Sequence, residues 1–360
     1  MTSKNAIALK AHIQAIAAIL YEETPQELLN TLEEIEQTVR QKVLKYVSPE
    51  IGGFFIRAVT GTTAGRKRKL KSSIGILKLT ENQAKKLEVK PNTQLSPHLE
   101  KCCLLLSANV SYQNTARDLE ILTGLKVCHS TQQRLVQRYK FTEVRVKQEV
   151  EELSVDGGKV RLRTPVGQGC EWRDYKAVNL HSQAVAAYFQ DNQSLLAWVN
   201  QQELSEIVTC LGDGHDGIWN LIAGIATKES RLEILDWYHL VENLYKVGGD
   251  KVRLARVEAF LWRGNITAAI IEIDGWSNPR ADNFITYLHK HHSRIPDYWY
   301  FQTEQISSIG SGAIESTVKQ IGRRVKISGA QWNKNNVPQV LFHRTAYLNG
   351  MLSTTNYLQN

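Results

Sequence analysis

Two stretches of the chain place an aspartate beside glycine at the end of an apolar run. In SVDGG, Asp156 follows Leu153 and Val155, and in CLGDGHDG, Asp213 follows the apolar run EIVTCL. Such runs indicate buried strands, so each aspartate is expected at a strand end. Two carboxylates that are held close together repel each other unless a cation lies between them. Oxygen ligands without sulfur suit Mg²⁺ or Mn²⁺, so the two stretches predict a divalent-metal site.

A third carboxylate is available further along the chain. The run GSGAIESTVKQIGRRVKISGAQW begins with a Gly-Ser-Gly loop and predicts a helix through Arg324, with Glu315 in its first turns. A helix that delivers Glu315 to the two aspartates would complete a site for two ions. Two cations about 3.5–4 Å apart can activate water on one side of a phosphodiester and stabilise the leaving oxygen on the other.

The elements that must position these acids follow an alternating order. A strand or a hairpin is predicted in ELSVDGGKVRLRT. Further strands are predicted at residues 175–180 and 185–189, in EIVTCL and in LEILDWYHL, and helices at residues 194–202 and in IWNLIAGI. Three clustered strands, a helix, a strand, a helix and a final strand make the order of an RNase H-like α/β fold. In that fold the ends of the first and fourth strands lie side by side, which would bring Asp156 next to Asp213.

Residues 96–140 predict three helices. The small core is predicted to consist of Leu104, Ala108, Ala116, Leu119, Leu122, Leu125 and Leu135. The third helix would expose polar side chains suited to base edges and phosphates. These side chains are Thr131, Gln132, Gln133, Arg134, Gln137 and Arg138. The pattern predicts a helix-turn-helix that contacts DNA through Thr131, Arg134 and Arg138. Its connection, TGLKVCH, is longer than the usual three- or four-residue turn, so a plain helical packing domain is the alternative.

The first 95 residues predict a helical region followed by a basic loop. PQELLNTLEEIEQTVRQKVLKYV keeps its apolar residues at helical spacing. IGGFFIRAVTGTTAGRKRKLKSS is then interpreted as a Gly/Thr-rich loop, and its cations are Arg66, Lys67, Arg68, Lys69 and Lys71. Such a run is either a solvated arm or an arm that gives sequence-independent affinity for DNA.

Composition narrows the class of protein. With 42% apolar and 22% charged residues the chain is typical of soluble globular proteins, and its net charge of +8 suits a partner made of phosphates. The sequence contains no apolar run of about 18 residues, so no membrane span is expected. No small-residue cleavage site follows the first apolar segment, so a secretory signal is not expected either. Five cysteines without a CxxC pair argue against a zinc ribbon and indicate reduced thiols. The expected location is the bacterial cytoplasm, in association with the nucleoid.

The order of SVDGG, LGDGHDG and GSGAIES…KQIGRRVKISGAQW resembles bacterial insertion-sequence transposases of the DDE type, in particular the ISKra-type group, which is related to Mutator-like transposases. The resemblance covers roughly residues 90–350 and includes LSPHLEKCC and DWYHLVENL. It implies that Asp156, Asp213 and Glu315 are the catalytic, metal-binding triad with two Mg²⁺ or Mn²⁺ ions. It also implies that His239 lies near DNA ends or the active site.

The resemblance further implies a helix-turn-helix over residues 96–145 and an RNase H-like catalytic domain over residues 146–350. The α-helical N-terminal region, residues 1–95, is predicted from its composition and apolar spacing alone. A helical insertion is expected at about 240–305. The implied activity is cleavage at the ends of the element, followed by strand transfer into target DNA. The expected partners are double-stranded DNA (terminal inverted repeats and target) and further copies of the chain, as a homodimer or larger. Phosphate contacts are predicted for Arg323, Arg324 and Lys326.

Each assignment has an alternative. An Asp-Gly pair is usually a turn, Asp216 rivals Asp213, and Glu315 could be an acid that the helix dipole favours. The cluster HKHH (His289, His291 and His292) is predicted to be solvated or near DNA rather than a zinc site. For the whole protein the alternatives are a catalytically inactive helix-turn-helix regulator derived from a transposase and a hydrolase that uses paired carboxylates on sugars.

Overall fold

Residues 2–181, 183–276 and 278–352 are described by the computed structural model, and they form two units. Unit 1 comprises residues up to 107 together with 112–135, and unit 2 comprises 108–111 and the residues from 136 onward. The three helices of the predicted helix-turn-helix therefore belong mostly to unit 1, with the N-terminal residues. Among the described residues, no helix is both long and apolar enough to cross a lipid bilayer.

Unit 1 begins with three helices, α1 (Ser3–Glu22), α2 (Leu32–Lys42) and α3 (Ser48–Thr60). A 3₁₀ turn precedes α2, and a π-helical turn follows it. Thr31 and Glu34 form a capping box at the start of α2, which satisfies backbone N–H groups that the helix leaves unpaired. The predicted helical character of this region is confirmed.

The prediction of a Gly/Thr-rich loop after residue 50 is wrong. Most of its first part lies in α3, which ends at Gly61 in the left-handed conformation (φ +60°). Its basic part forms β1 (Lys67–Ser72), which pairs antiparallel with β2 (Gly75–Thr80) and is followed by α4 (Glu81–Lys86). The physical reason is alternation: Lys67 and Lys69 are exposed on one side of β1, while Leu70 is buried.

The three predicted helices after residue 95 are present as α5 (Pro97–Ser107), α6 (Tyr112–Thr123) and α7 (His129–Arg138). Two side chains differ from the prediction. Leu122 is 64% exposed, and Gln132 is fully buried beside Cys103. Gln132 lies three residues before Leu135 on the inward face of α7, so it cannot read a base edge.

A mixed five-stranded sheet forms the centre of unit 2, which confirms the α/β class. Its strands are β3 (Val150–Leu162), β4 (Glu171–Leu180), β5 (Ala184–Phe189), β6 (Leu204–Gly212) and β7 (Arg231–Leu235). They lie in the order β5-β4-β3-β6-β7. The pairs β3–β4 and β4–β5 are antiparallel, whereas β3–β6 and β6–β7 are parallel.

Helices complete unit 2. They are α8 (Asn192–Asn200), α9 (Asp216–Ile222), α10 (Trp237–Val247), α11 (Lys251–Trp262), α12 (Ile266–Ile273), α13 (Pro279–Lys290), α14 (Tyr298–Thr303), α15 (Gly312–Val325) and α16 (Val337–Leu348). The strand predicted in LEILDWYHL ends earlier than expected, at Leu235. The reason is Asp236, whose side chain caps α10 by accepting the amide of His239.

Both faces of the sheet are covered. On one face, apolar side chains such as Leu153 and Val155 join a core with α8 to α13. On the other face, Val160 and Tyr175 pack with Ile314 and other residues of α15 and α16. A sheet that is buried on both faces holds its strands rigidly, which matters for the acid within β3 and for the acids that follow β6 and β7.

Candidate active site

Three aspartates stand side by side where three parallel strands of unit 2 align. The register places Asp156 and Asp213 directly after a paired position of β3 and β6, and β7 adds Asp236 at the equivalent place. The amide of Asp236 donates to the carbonyl of Gly212 at 2.9 Å, which locks β7 to β6 at this point. Strands β6 and β7 end here, but β3 continues to Leu162, so the prediction that Asp156 stands at a strand end is wrong. The reason is that β3 goes on pairing antiparallel with β4 after its parallel pairing with β6 has ended at Val155. The sequence predicted two of these three acids.

Asp156 is partly buried beside the second aspartate. Its Oδ1 accepts a hydrogen bond from the amide of Gly157 at 2.5 Å. Burial raises the pKa of Asp156, and the Asp213 carboxylate raises it further. His239 and Lys176 act in the opposite direction. The repulsion between the two carboxylates is the situation that a bound cation would relieve.

Asp213, rather than Asp216, faces Asp156. Asp213 Oδ1 accepts the amide of His215 at 2.9 Å, which orients the carboxylate at the start of the loop. Asp216 is the first residue of α9, is exposed, and forms an ion pair with Lys290. The preference for Asp213 over Asp216 therefore has a geometric basis, although its catalytic role stays a prediction.

Glu315 reaches the same place from α15. Its Oε1 lies 3.9 Å from His239 Nδ1, and its Oε2 accepts a hydrogen bond from Lys319 Nζ at 3.2 Å. Asn179 in β4 holds α15 on the sheet by donating to Thr317 Oγ1 at 3.0 Å. The first turn of α15, which carries Glu315, is thereby fixed over the sheet.

The imidazole of His239 interacts electrostatically with the carboxylates around it. The hydrogen bond with Asp236 raises the pKa of His239 to about 9, and Asp213 and Glu315 raise it as well. The imidazole also lowers the pKa of Asp156. A protonated His239 therefore interacts with every carboxylate of this cluster, and its place near an active site or DNA ends stays a prediction.

Asp236 is the residue that sequence reasoning missed. Its side chain is fully buried; Oδ1 contacts the His239 amide at 2.7 Å and His239 Nδ1 at 3.2 Å. Oδ2 accepts from both the amide and the hydroxyl of Ser311, immediately before α15. Burial alone would raise the pKa of Asp236, but the hydrogen bonds from His239 and Ser311 outweigh it and lower the pKa. One sequence signal existed: an aspartate between a strand and a helix is a good N-cap.

One group of three side chains among the described residues has the spacing to hold a metal ion. The ligand atoms of Asp236, His239 and Glu315 all lie within 4.8 Å of one another. Of the roughly four acceptor sites of an ionised carboxylate, Asp236 uses three on protein donors: the amide of His239 and the amide and hydroxyl of Ser311. The predicted ligands Asp156, Asp213 and Glu315 do not come together in such a group in the described part of the chain. Their oxygen atoms are nevertheless of the kind that suits Mg²⁺ or Mn²⁺.

The predicted DNA-contacting residues of α7 are mostly accessible. Arg134 and Arg138 are exposed, and Thr131 is partly buried. The guanidinium of Arg134 donates to the Ser130 carbonyl at 3.2 Å, and the hydroxyl of Thr131 lies 3.1 Å from Cys128 Sγ. These positions are compatible with contacts to DNA, which stay a prediction.

One of the three cations predicted to contact phosphate is misplaced for that role. Arg323 and Lys326 are exposed at the end of α15. Arg324 is only 1% exposed, and its guanidinium packs over the Trp332 ring at 4.9 Å. The helical period turns Arg324 inward while its neighbours face outward, so Arg324 supports the fold instead.

The HKHH cluster is not uniformly solvated, contrary to the prediction. His289 and His292 are exposed, but His291 is fully buried. Its ring lies 4.6 Å from the Tyr287 ring and 6.0 Å from the Trp219 ring, measured between centroids. His291 is a packing residue of unit 2.

A basic cleft of about 850 Å³ lies in unit 1 between β1, the end of α4 and residues 88–94. Its cations are Arg66, Lys67, Arg68, Lys69, Lys85 and Lys90, and its acids are Glu81 and Glu88. The guanidinium of Arg68 donates to the Lys90 carbonyl at 3.4 Å, which ties the two walls together. Across the described part of the chain, Lys67, Lys69 and Lys85 form no ion pair with a carboxylate. The excess positive charge makes the cleft suited to an anionic ligand.

Comparisons of the chain with protein-family models and with curated proteins give no match. The geometry of the site is therefore the basis on which a function can be assigned. That geometry gathers Asp156, Asp213, Glu315 and His239 at one edge of the sheet in unit 2, with Asp236 beneath them.

Proposed function

We propose that the chain is a DNA transposase of the DDE type, in which unit 2 is an RNase H-like domain and Asp156, Asp213 and Glu315 carry the chemistry. The reaction is hydrolysis of a phosphodiester at the end of a mobile element. The 3′-hydroxyl that this frees then attacks a phosphodiester of target DNA, and the target's 3′-oxygen is the leaving group.

The observation that carries the proposal is the convergence of acids from remote parts of the chain. The first and fourth strands of unit 2, β3 and β6, pair in parallel and align Asp156 with Asp213. Glu315 comes from a helix more than 100 positions later and reaches the histidine that also interacts with both aspartates. Like charges are costly to gather without a function that uses them, and perturbed carboxylates mark functional sites.

The carboxylates fit divalent cations. Asp156, Asp213 and Glu315 would hold two Mg²⁺ or Mn²⁺ ions through oxygen atoms alone, and the cysteine of β6, Cys210, is fully buried. Bound cations supply charge neutralisation at the phosphodiester and lower the pKa of the attacking hydroxyl or water.

The other side chains orient the site. Asp236 fixes the ring of His239 and the N-terminal end of α15, and so sets where the Glu315 carboxylate lies. Lys176 approaches from β4: its Nζ would lie 3.0 Å from a β-carbon at Gly157, next to Asp156. A lysine at this point can neutralise a non-bridging oxygen of the phosphodiester.

Two surfaces support DNA as the partner. The exposed arginines of α7, Arg134 and Arg138, are of the type that contacts bases and phosphates. The basic cleft of unit 1 adds an excess of cations suited to the backbone. These surfaces also weigh against a sugar hydrolase, whose substrate is neutral.

The test is a nicking assay on supercoiled plasmid DNA with Mg²⁺ or Mn²⁺. Asp156→Asn and Asp213→Asn are expected to lower the nicking rate at least about 100-fold, because each removes a charged oxygen ligand. Asp216→Asn is the matched control: it lies in the same loop but pairs with Lys290, and it should keep the wild-type rate. All variants should still bind duplex DNA.

The same assay separates the alternatives. If the wild-type chain binds duplex DNA but never nicks it with either cation, it is a DNA-binding regulator, and the catalytic proposal is overturned. If Asp216→Asn is inactive while Asp213→Asn is active, the assignment of the second aspartate is wrong.

A further inference from the structure

The first helix of the chain is mostly apolar, yet all of its side chains except that of Leu20 are exposed. Twelve of the fifteen residues from Ala6 to Leu20 are alanine, isoleucine or leucine. None of the twenty residues of α1 is buried, and Ile7 and Ile19 are 70% and 61% exposed. The residues just after α1 contact the rest of unit 1. Thr24 is buried, and Lys42 Nζ donates a hydrogen bond to the Glu23 carbonyl at 2.6 Å. A helix that is apolar on all sides is normally covered by protein or lipid.

The charges of α1 oppose its own dipole. Lys4 lies in the first turn, where the partial positive charge of the helix disfavours a cation. Glu22 is the last residue of α1 and Glu23 follows it, where the partial negative charge disfavours an acid. The helix has no acid in its first turn and no cation in its last turn. This charge order weakens α1 as an isolated helix.

One face of α1 has the spacing of a helix–helix seam. Its members recur every three or four residues, and they are Lys4, Ala8, Ala11, Ala15, Ala18 and Glu22. A repeat of seven residues keeps such a face turned toward a partner helix. At 100° per residue, Ile7 and Ile19 lie on either side of this face, so the most exposed apolar side chains flank the seam.

An antiparallel second copy of α1 would cover the alanine-lined face and would also compensate the unfavourable charges at the two helix ends. Rotation about a two-fold axis near Ile13 places Lys4 of one copy opposite Glu22 of the other, twice per dimer. The same rotation places Ala8 opposite Ala18 and Ala11 opposite Ala15. Each lysine then lies beside the negative end of the partner's helix, and each glutamate beside the positive end. A parallel pair would instead place Lys4 against Lys4, which is unfavourable.

We propose that the occupant of this face is a second copy of the chain, joined through an antiparallel pair of α1 helices. A two-fold axis of this kind is the commonest symmetry of soluble oligomers. The inference needs no catalytic activity, but it deepens the proposed function, because a two-fold dimer offers two identical sites for the two ends of an element.

The test is the oligomeric state of the full chain, measured by sedimentation equilibrium over about 1–100 μM protein. The wild-type chain is expected to be a dimer in this range. Lys4→Glu and Glu22→Lys are each expected to raise the dissociation constant about three- to tenfold, because each converts two attractions into two repulsions. The double variant Lys4→Glu/Glu22→Lys restores opposite charges and should return to within about twofold of wild type.

Two further variants test which face of α1 forms the contact between the two copies. Ala15→Glu places a charge in the seam and should raise the dissociation constant at least about tenfold. Ile13→Glu adds the same charge on the opposite face of α1 and should leave the dissociation constant unchanged. Circular dichroism and duplex binding in EDTA verify that each variant folds.

Three results would overturn the inference. They are a wild-type chain that is monomeric throughout the range, a double charge swap whose loss is the sum of the single losses, and dimers that Ile13→Glu weakens while Ala15→Glu does not. None of these results depends on nicking, so failure of the α1 pair and failure of the proposed catalytic function are distinguishable.

Discussion

At the scale of single residues, Asp236 fixes the positions of other side chains in the site. One oxygen contacts His239 twice, and the other accepts two donors of Ser311. Through these contacts a single carboxylate links β7, α10 and the start of α15. We therefore regard Asp236 as a positioning residue of the proposed active site.

His291 is a second residue whose role depends on burial. Burial lowers the pKa of His291 to about 4, and the positive charges of Arg294 and Lys290 lower it further. An unfolded histidine has a pKa of about 6.5. As the pH falls from 6.5 to 4, the unfolded chain therefore binds a proton that the folded chain does not. The free energy of unfolding must decrease over this window and is unaffected by His291 above it.

His291→Phe keeps a ring beside Tyr287 and Trp219 but removes this titration. Between pH 7 and pH 5 the free energy of unfolding is expected to fall by about 2 kcal/mol more in the wild type than in His291→Phe. Urea unfolding followed by tryptophan fluorescence measures the difference. The exposed neighbour provides the control, because His292→Asn should keep the wild-type dependence. Identical pH profiles for His291→Phe and the wild type would show that His291 is not buried in the neutral form.

At the scale of elements, the β1–β2 hairpin places the basic residues of β1 along one side of the cleft in unit 1. Its turn depends on Gly75, which has a φ of +99° and lies against the carbonyl oxygen of Leu44. A β-carbon at this position would overlap that oxygen. The hairpin can therefore pack against the turn that follows α2 only with glycine here.

Gly75→Ala is expected to destabilise unit 1 by about 2–4 kcal/mol, from backbone strain together with the overlap. Gly61→Ala is the matched control, since Gly61 also has a positive φ (+60°) but has nothing within 4 Å of an added β-carbon. Its cost should be about 1 kcal/mol, from conformation alone. Thermal unfolding by circular dichroism compares the two variants, and equal melting temperatures would contradict the packing described at Gly75.

At the scale of the whole molecule, the net charge of +8 is concentrated in part in the basic cleft of unit 1. Lys67 and Lys69 lie on the exposed side of β1, with no carboxylate partner among the residues described. Binding of a phosphate backbone there would release counterions, so affinity should depend on salt.

Lys67→Glu/Lys69→Glu is expected to weaken binding of a short duplex and to make the slope of log K against log salt shallower by about 2. Fluorescence anisotropy in EDTA measures binding without cleavage, and two unrelated duplex sequences should be affected equally. Lys228→Glu/Lys251→Glu changes the net charge by the same amount on exposed lysines of unit 2. If both double variants lower the slope equally, net charge alone, rather than the cleft, accounts for the binding.

The sequence alone predicted much of the fold because strands and helices follow local patterns. The strand end before Asp213, the helix carrying Glu315 and the three helices after residue 95 all lie where apolar periodicity places them. Asp156 lies inside β3 rather than at its end, because pairing with β4 extends that strand. The hairpin at Lys67–Thr80 was missed because lysines alternate there with few apolar residues, and a run of positive charge is also typical of a loop.

Local sequence thus determined which residues could form the site, because residue type and period are properties of a short window. Only the tertiary structure decided that Asp236 lies beside Asp213, that His291 and Arg324 are buried, and that α1 is left uncovered. Pairing between strands and burial depend on contacts between distant segments. No short window of sequence contains the free energy of those contacts, so the neighbours of a side chain become known only when the chain is folded.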